Sequence, residues 1–145
     1  MILRTGLLLA ALAVPSVARA QSAADSSAIR ATALNYVEGW YEGDADRMGR
    51  ALHPELVKRI VVSDTATRRS VLQNMGASAL VNGTRHGWGK ETPRDRRQKD
   101  VTILDIFGNA ASVKAVMADW IDYLQIAKVD GRWLIVNVLW ERKPG

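Results

Sequence analysis

Apolar side chains at Ile29, Ala33, Tyr36, Val37, Trp40 and Tyr41 recur three and four residues apart. That spacing places them on one face of an α-helix. Gly43 follows, free to take the left-handed backbone that ends a helix. Asp44 is placed to cap a second, short helix with Met48, Ala51 and Leu52 on its inner side. His53-Pro54 closes it, because the residue before proline is pushed away from helical angles. Leu56 to Val62 is rich in β-branched residues, is interrupted by Lys58-Arg59, and predicts a strand. Ser70-Val71-Leu72-Gln73 has the form of a capping box. It predicts a third helix running to about Val81, with Val71, Leu72, Met75 and Ala79 inward, stopped by Asn82-Gly83.

Residues 84–99 carry six cations against two acids, and Gly87, Gly89 and Pro93 make the segment a loop. Beyond it the pattern turns to β. Strands are predicted at Val101–Phe107, Ala110–Ala118, Ile121–Val129 and Arg132–Glu141, with turns at Gly108-Asn109, near Asp119-Trp120, and at Asp130-Gly131. Asp-Gly between alternating apolar runs is a strong hairpin signal. A two-residue loop there pairs Val129 with Arg132 and Lys128 with Trp133. An unbroken register then puts Asp122, Leu124, Ile126, Trp133, Ile135, Asn137 and Leu139 on one face, with Tyr123, Leu134, Val136, Val138 and Trp140 on the other. Both faces come out largely apolar, whereas a half-exposed antiparallel sheet has one polar face. The expectation is a sheet covered by the helices on one side and by a second copy of the chain on the other.

The first twenty residues differ from the rest. Arg4 precedes an apolar run from Gly6 to Val14, Pro15 breaks it, and Ala18-Arg19-Ala20 is a small-x-small cleavage signal. This is the pattern of a secretory signal peptide over residues 1–20, with the cut before Gln21. The run is too short for a membrane span, which needs roughly 20 residues. An exported protein in the periplasm or outside the cell is expected, with no membrane association after cleavage. Gln21–Ser27 is expected to be a flexible lead-in, and residues 28–143 one domain. The chain of 145 residues has no cysteine, which excludes disulfides and thiol chemistry. Its 20 basic and 15 acidic residues leave a net charge of +5, reduced by two once Arg4 and Arg19 are cleaved off. That balance does not argue for nucleic acid.

Helices followed by an antiparallel meander is an α+β order. The stretch "YVEGWYEGDADRMGRALHPEL" resembles the first two helices of the nuclear transport factor 2-like superfamily. The segments "GNAASVK", "DWIDYLQIAKVDGRW" and "IVNVLWE" are similar to the closing meander of its branch called "putative lumazine-binding" proteins. The resemblance spans about Ile29 to Glu141. It implies a cone-shaped, cystatin-like fold, with three N-terminal helices on a curved, mainly antiparallel sheet and a cavity open at one end. Dimers formed through the outer sheet face are common in the superfamily. Its members include isomerases, cyclases and dehydratases as well as proteins that bind ligands without catalysis, so the fold leaves function open.

The ketosteroid isomerase type in that superfamily places a carboxylate base on the first strand and pairs it with a helix-one tyrosine and a buried acid. Here the base position falls near Ile60-Val61, which cannot take a proton, although Tyr36 and Asp122 suit the other two roles. His53 is either a base near the cone mouth or a residue packing beside Pro54. His86 lies in the basic loop. The two histidines lack metal-ligand spacing, and neither a metal nor a cofactor is expected. Asp119, Trp120, Asp122 and Tyr123 form the densest polar-aromatic cluster. Asn137 stands alone among apolar neighbours and shares a predicted face with Asp122. Trp133 and Trp140 suit core or interface. Arg94, Arg96, Arg97 and Lys99 suit a solvated loop.

These readings combine into one expectation: an exported protein that holds a small, partly apolar molecule without transforming it. The candidate ligand-binding residues are Tyr36, Trp40, His53, Trp120, Asp122, Tyr123 and Asn137. The alternatives are a lyase, isomerase or cyclase acting on a hydrophobic ring with His53 or Asp122 as base, and a protein-interaction module whose cone is plugged by Trp40 and Trp120.

Overall fold

Helix α1 (Ser16–Glu42) lies across a six-stranded sheet, in a computed structural model that describes residues 16–144, with side chains from Ala23 onward. Most of the expected signal peptide lies outside the described residues. Residues 21–27, expected as a loose lead-in, continue α1. Asp25 lies within this helix. Its Oδ1 accepts hydrogen bonds from Lys128 Nζ (2.8 Å) and Trp133 Nε1 (3.0 Å), which tie the helix to the last hairpin. Among the described residues no helix is long and apolar enough to cross a membrane.

The periodicity of α1 is realised in its packing. Ile29, Ala33, Tyr36, Val37 and Tyr41 are buried in the core. The helix ends as Gly43 requires, with φ +67°. Asp44 N–H donates to Gly39 O, and Gly43 N–H donates to Trp40 O, the paired bonds of a Schellman cap. Asp44 then caps α2 (Ala45–Ala51), its Oδ1 accepting from Arg47 N at 2.8 Å.

The chain turns directly from α2 into β1 (Leu52–Asp64), which pairs with β2 (Arg69–Gly76). Residues 70–76, expected to open the third helix, are therefore an edge strand. The capping-box pattern was overridden by pairing with β1, from Val57↔Gly76 to Asp64↔Arg69. The third helix, α3, starts later and runs Ala77–Arg85, through Asn82-Gly83, with Leu80 and Thr84 buried. The basic loop holds two 3₁₀ turns, Trp88–Glu91 and Arg94–Arg96. The meander follows as β3 (Asp100–Phe107), β4 (Ala110–Val116), β5 (Trp120–Val129) and β6 (Arg132–Arg142). The strand order is β2-β1-β6-β5-β4-β3, antiparallel except where β1 lies parallel to β6.

The last hairpin starts in the expected register, with Asp130 and Gly131 both at positive φ as a two-residue turn of this type demands. The register then shifts between Ile126↔Ile135 and Gln125↔Asn137. Val136 is the extra residue of a β-bulge, and a bulge exchanges the faces of everything beyond it. Val138 and Trp140 move to the helix-covered face, opposite Leu124 and Asp122. Asn137 and Leu139 move to the outer face, beside Gln125 and Tyr123. The outer face is consequently more polar than an unbroken register predicts.

Candidate functional site

Three elements bring three polar side chains together inside this apolar core. Tyr36 comes from α1, Lys58 from β1 and Asp122 from β5, and all three are buried. Lys58 Nζ donates to Asp122 Oδ1 at 2.8 Å and to Tyr36 Oη at 2.6 Å. Tyr36 O–H donates to the other carboxylate oxygen, Asp122 Oδ2, at 2.7 Å. Both oxygens of Asp122 are thus engaged, as a fully buried carboxylate requires. Lys58 Nζ also lies 4.9 Å from the centre of the Trp140 ring and 5.3 Å from that of Tyr36, within cation–π range.

Burial sets the acid–base character of this cluster. It lowers the Lys58 ammonium from the ordinary lysine range, and the charge and hydrogen bond of Asp122 oppose that effect. Burial, reinforced by the Asp122 charge and hydrogen bond, raises the Tyr36 hydroxyl well above its ordinary value. Tyr36 therefore stays a neutral donor at physiological pH.

Above the cluster lies a cavity of about 220 Å³ walled by Trp40, Trp88, Trp120 and Trp140, with Met75, Leu80 and Met117. Trp120 is the middle of an edge-to-face ladder, 6.0 Å from both Trp40 and Trp140, at 76° and 73°. Such contacts contribute about 0.5–1.5 kcal/mol each beyond their burial. Trp120 Nε1 donates to Met117 Sδ at 3.1 Å. Trp40 Nε1, by contrast, is buried with no acceptor, the one such side-chain atom found among the described residues. An unpaired buried donor costs about 1–3 kcal/mol, and the ring that carries it is one wall of this cavity.

The basic loop forms the remaining wall. Trp88 is half exposed and packs over Gly83, where an added Cβ would come within 2.5 Å of its ring. Gly89 packs flush on α1, where a Cβ would stand 2.1 Å from Trp40 O. Glycine is required there by close approach, and it seats Trp88 beside Trp40. Arg142, next to Trp140 on β6, lines the cavity from the strand end.

Three of the residues expected at a site line this cavity, Tyr36, Trp40 and Trp120, and a fourth, Asp122, lies beneath it, bonded to Tyr36 and Lys58. Three lie elsewhere. His53 is the second residue of β1, where its Nδ1 accepts from Glu55 N at 3.2 Å, and it does not line this cavity. Tyr123 is on the outer face and 43% exposed. Asn137 is on that face too, its Oδ1 accepting from Arg59 Nη1 at 2.5 Å, so the anticipated Asp122–Asn137 pairing does not form. Trp40 and Trp120 wall the cavity and leave it open. Lys58, Trp88 and Arg142 were not anticipated. The signal for Lys58 was present: it takes an inward position in the alternation Leu56, Lys58, Ile60, Val62. Among the described residues no cluster of His, Cys, Asp or Glu is arranged to hold a metal ion.

Comparison with known proteins places this geometry in a family. The model of the family described as "Putative lumazine-binding" matches residues 24–141. No curated protein matches the chain. Among solved structures, an NTF2-like protein of unknown function from Shewanella baltica superposes with a TM-score of 0.62 at 18% identity, over 85% of this chain and 97% of that one. An NTF2-like protein with a cystatin-like fold from Novosphingobium aromaticivorans gives 0.64 at 13%, over 88% of each chain. A ketosteroid isomerase-like protein from Erwinia carotovora gives 0.53 at 12%, over 82% of this chain and 96% of that one. At these identities the likeness is one of fold.

Proposed function

The chain belongs to the family described as "Putative lumazine-binding", within the NTF2-like fold, and from that premise we propose that it is an exported protein that holds a small, partly apolar molecule in the cavity between α1 and the sheet. One observation carries this reading: an aromatic cavity of about 220 Å³ adjoins a buried indole N–H that has no acceptor. Concave, mostly apolar sites with a few convergent polar groups are what small-ligand pockets look like.

Binding is favoured over turnover by the state of the candidate bases. Asp122 has both oxygens hydrogen-bonded and an ammonium at 2.8 Å, which opposes proton abstraction. His53 is away from the cavity. A cone acting only as a protein-docking module would bury its tryptophans against one another and leave no cavity.

Native mass spectrometry of the protein recovered from the exported fraction, followed by exposure to 2-naphthamide and 2-naphthoate as flat ring probes, tests the proposal. The expected result is a chain beginning at Gln21 that carries one small molecule per chain, or takes up one probe per chain. A chain that carries nothing and takes up neither probe at millimolar concentration would overturn it.

A further inference from the structure

The cavity's side chains divide unequally between donors and acceptors. Lys58 has three ammonium hydrogens, and among the described residues it donates to two acceptors, Tyr36 Oη and Asp122 Oδ1. Trp40 Nε1–H has no acceptor. The Arg142 guanidinium, exposed at the rim, forms no ion pair with any described residue. On the other side of the balance, no carboxylate, amide or aliphatic hydroxyl is among the lining side chains. The Tyr36 oxygen already accepts from Lys58, and Asp122 is closed off beneath the cluster by its two hydrogen bonds. The charges of Lys58 and Asp122 offset each other, which leaves Arg142 as the uncompensated charge. The lining is thus a set of aromatic faces with unsatisfied donors and a net positive charge.

We infer that the ligand is a flat, ring-bearing organic anion, an aromatic carboxylate or an acid of similar shape, whose ring lies among the tryptophans and whose oxygens accept from Trp40, Lys58 or Arg142. The inference rests on the reading that the cavity holds a small molecule and goes beyond it in assigning the ligand's charge. A cationic ligand would bring a like charge toward Lys58 and Arg142, and a donor-rich one would leave the buried N–H unmet. Charge-assisted bonds to a carboxylate are about twice as strong as neutral ones.

Isothermal titration calorimetry of the mature chain with 2-naphthoate, 2-naphthamide and 2-naphthylmethylammonium separates the possibilities, since the three share a ring and differ in charge. The expected order is naphthoate tightest, by at least about tenfold over the amide, with the ammonium undetected. Arg142→Gln should weaken naphthoate by about tenfold while moving the amide less than about twofold. Trp40→Phe, which keeps a ring and removes the N–H, should weaken naphthoate several-fold. Equal binding of acid and amide, or tighter binding of the ammonium, would overturn the anion assignment and leave the pocket reading standing. Absence of binding by all three would overturn the anion assignment, and with it the pocket reading where native mass spectrometry also finds no retained molecule.

Discussion

Lys58 and Asp122 are held by opposing terms of similar size. Each charge loses hydration on burial, and each regains it only through the other and through Tyr36. Removing both partners should therefore cost clearly less than the two single removals added together. Lys58→Met is expected to lower unfolding free energy by about 3–5 kcal/mol, because it leaves a buried carboxylate with a tyrosine as its main support. Lys58→Met combined with Asp122→Asn should lose clearly less than the sum of the single changes, with a coupling of up to about 3 kcal/mol. Urea denaturation of the four chains measures it, and strict additivity would show that the pair is not a unit. Two of the three residues of this cluster were legible in the sequence. Tyr36 follows from helical spacing, and Asp122 from being a lone acid in an apolar strand. Lys58 was obscured because the Lys58-Arg59 doublet looks like an exposed interruption. In the structure the two side chains point to opposite faces, one to the cavity and one to Asn137.

At the scale of elements, Glu38 joins three segments. From α1 it accepts from Arg47 of α2 and from Lys99 at the end of the basic loop, the latter at 2.9 Å. The hydrogen bond from Lys99 leads the effects that lower its carboxyl from the ordinary value of 4.5, and the charges of Arg47 and Lys99 add to it against a burial cost. A folded-state value below the unfolded one means that the stabilisation is full above about pH 4.5 and is lost as pH falls through the depressed value. Glu38→Gln should thus lower Tm at pH 7, and the two melting curves should converge as pH falls below the ordinary carboxylate range. A constant Tm gap down to pH 2 would rule out the charge as its source. Element boundaries were legible where local chemistry decides them: Gly43-Asp44 between helices, and Asp130-Gly131 in the last hairpin. They were not legible where pairing decides. Residues 70–76 carry a helix-start pattern and become a strand because β1 offers them a partner. The bulge at Val136 leaves no mark in the alternation, yet it exchanges Asn137 for Trp140 at the cavity face.

The whole molecule presents one sheet face to the helices and leaves the other uncovered. On that outer face Leu72, Val61, Leu139 and Tyr123 are 57%, 45%, 50% and 43% exposed, and they come from four neighbouring strands, β2, β1, β6 and β5. Val61 lies opposite Leu72, and Leu139 opposite Tyr123, so the four form an apolar band across four strands, with Arg59 opposite Leu139 between the two pairs. The bulge takes Trp140 and Val138 off this face and leaves these four side chains exposed on it. A band of this kind in an aqueous compartment is best covered by a second copy related by two-fold symmetry, because such an interface is self-complementary. The proposed dimer should run at twice the chain mass in size-exclusion chromatography with light scattering at micromolar concentration. Leu139→Lys puts two like charges near the centre of the band and should yield a monomer with an unchanged circular dichroism spectrum. Because Leu139 faces away from the cavity, the monomer should keep its affinity for 2-naphthoate to within about twofold, a change of less than about 0.5 kcal/mol. A wild-type chain that is monomeric at micromolar concentration would rule out the dimer, and a Leu139→Lys dimer would rule out this face.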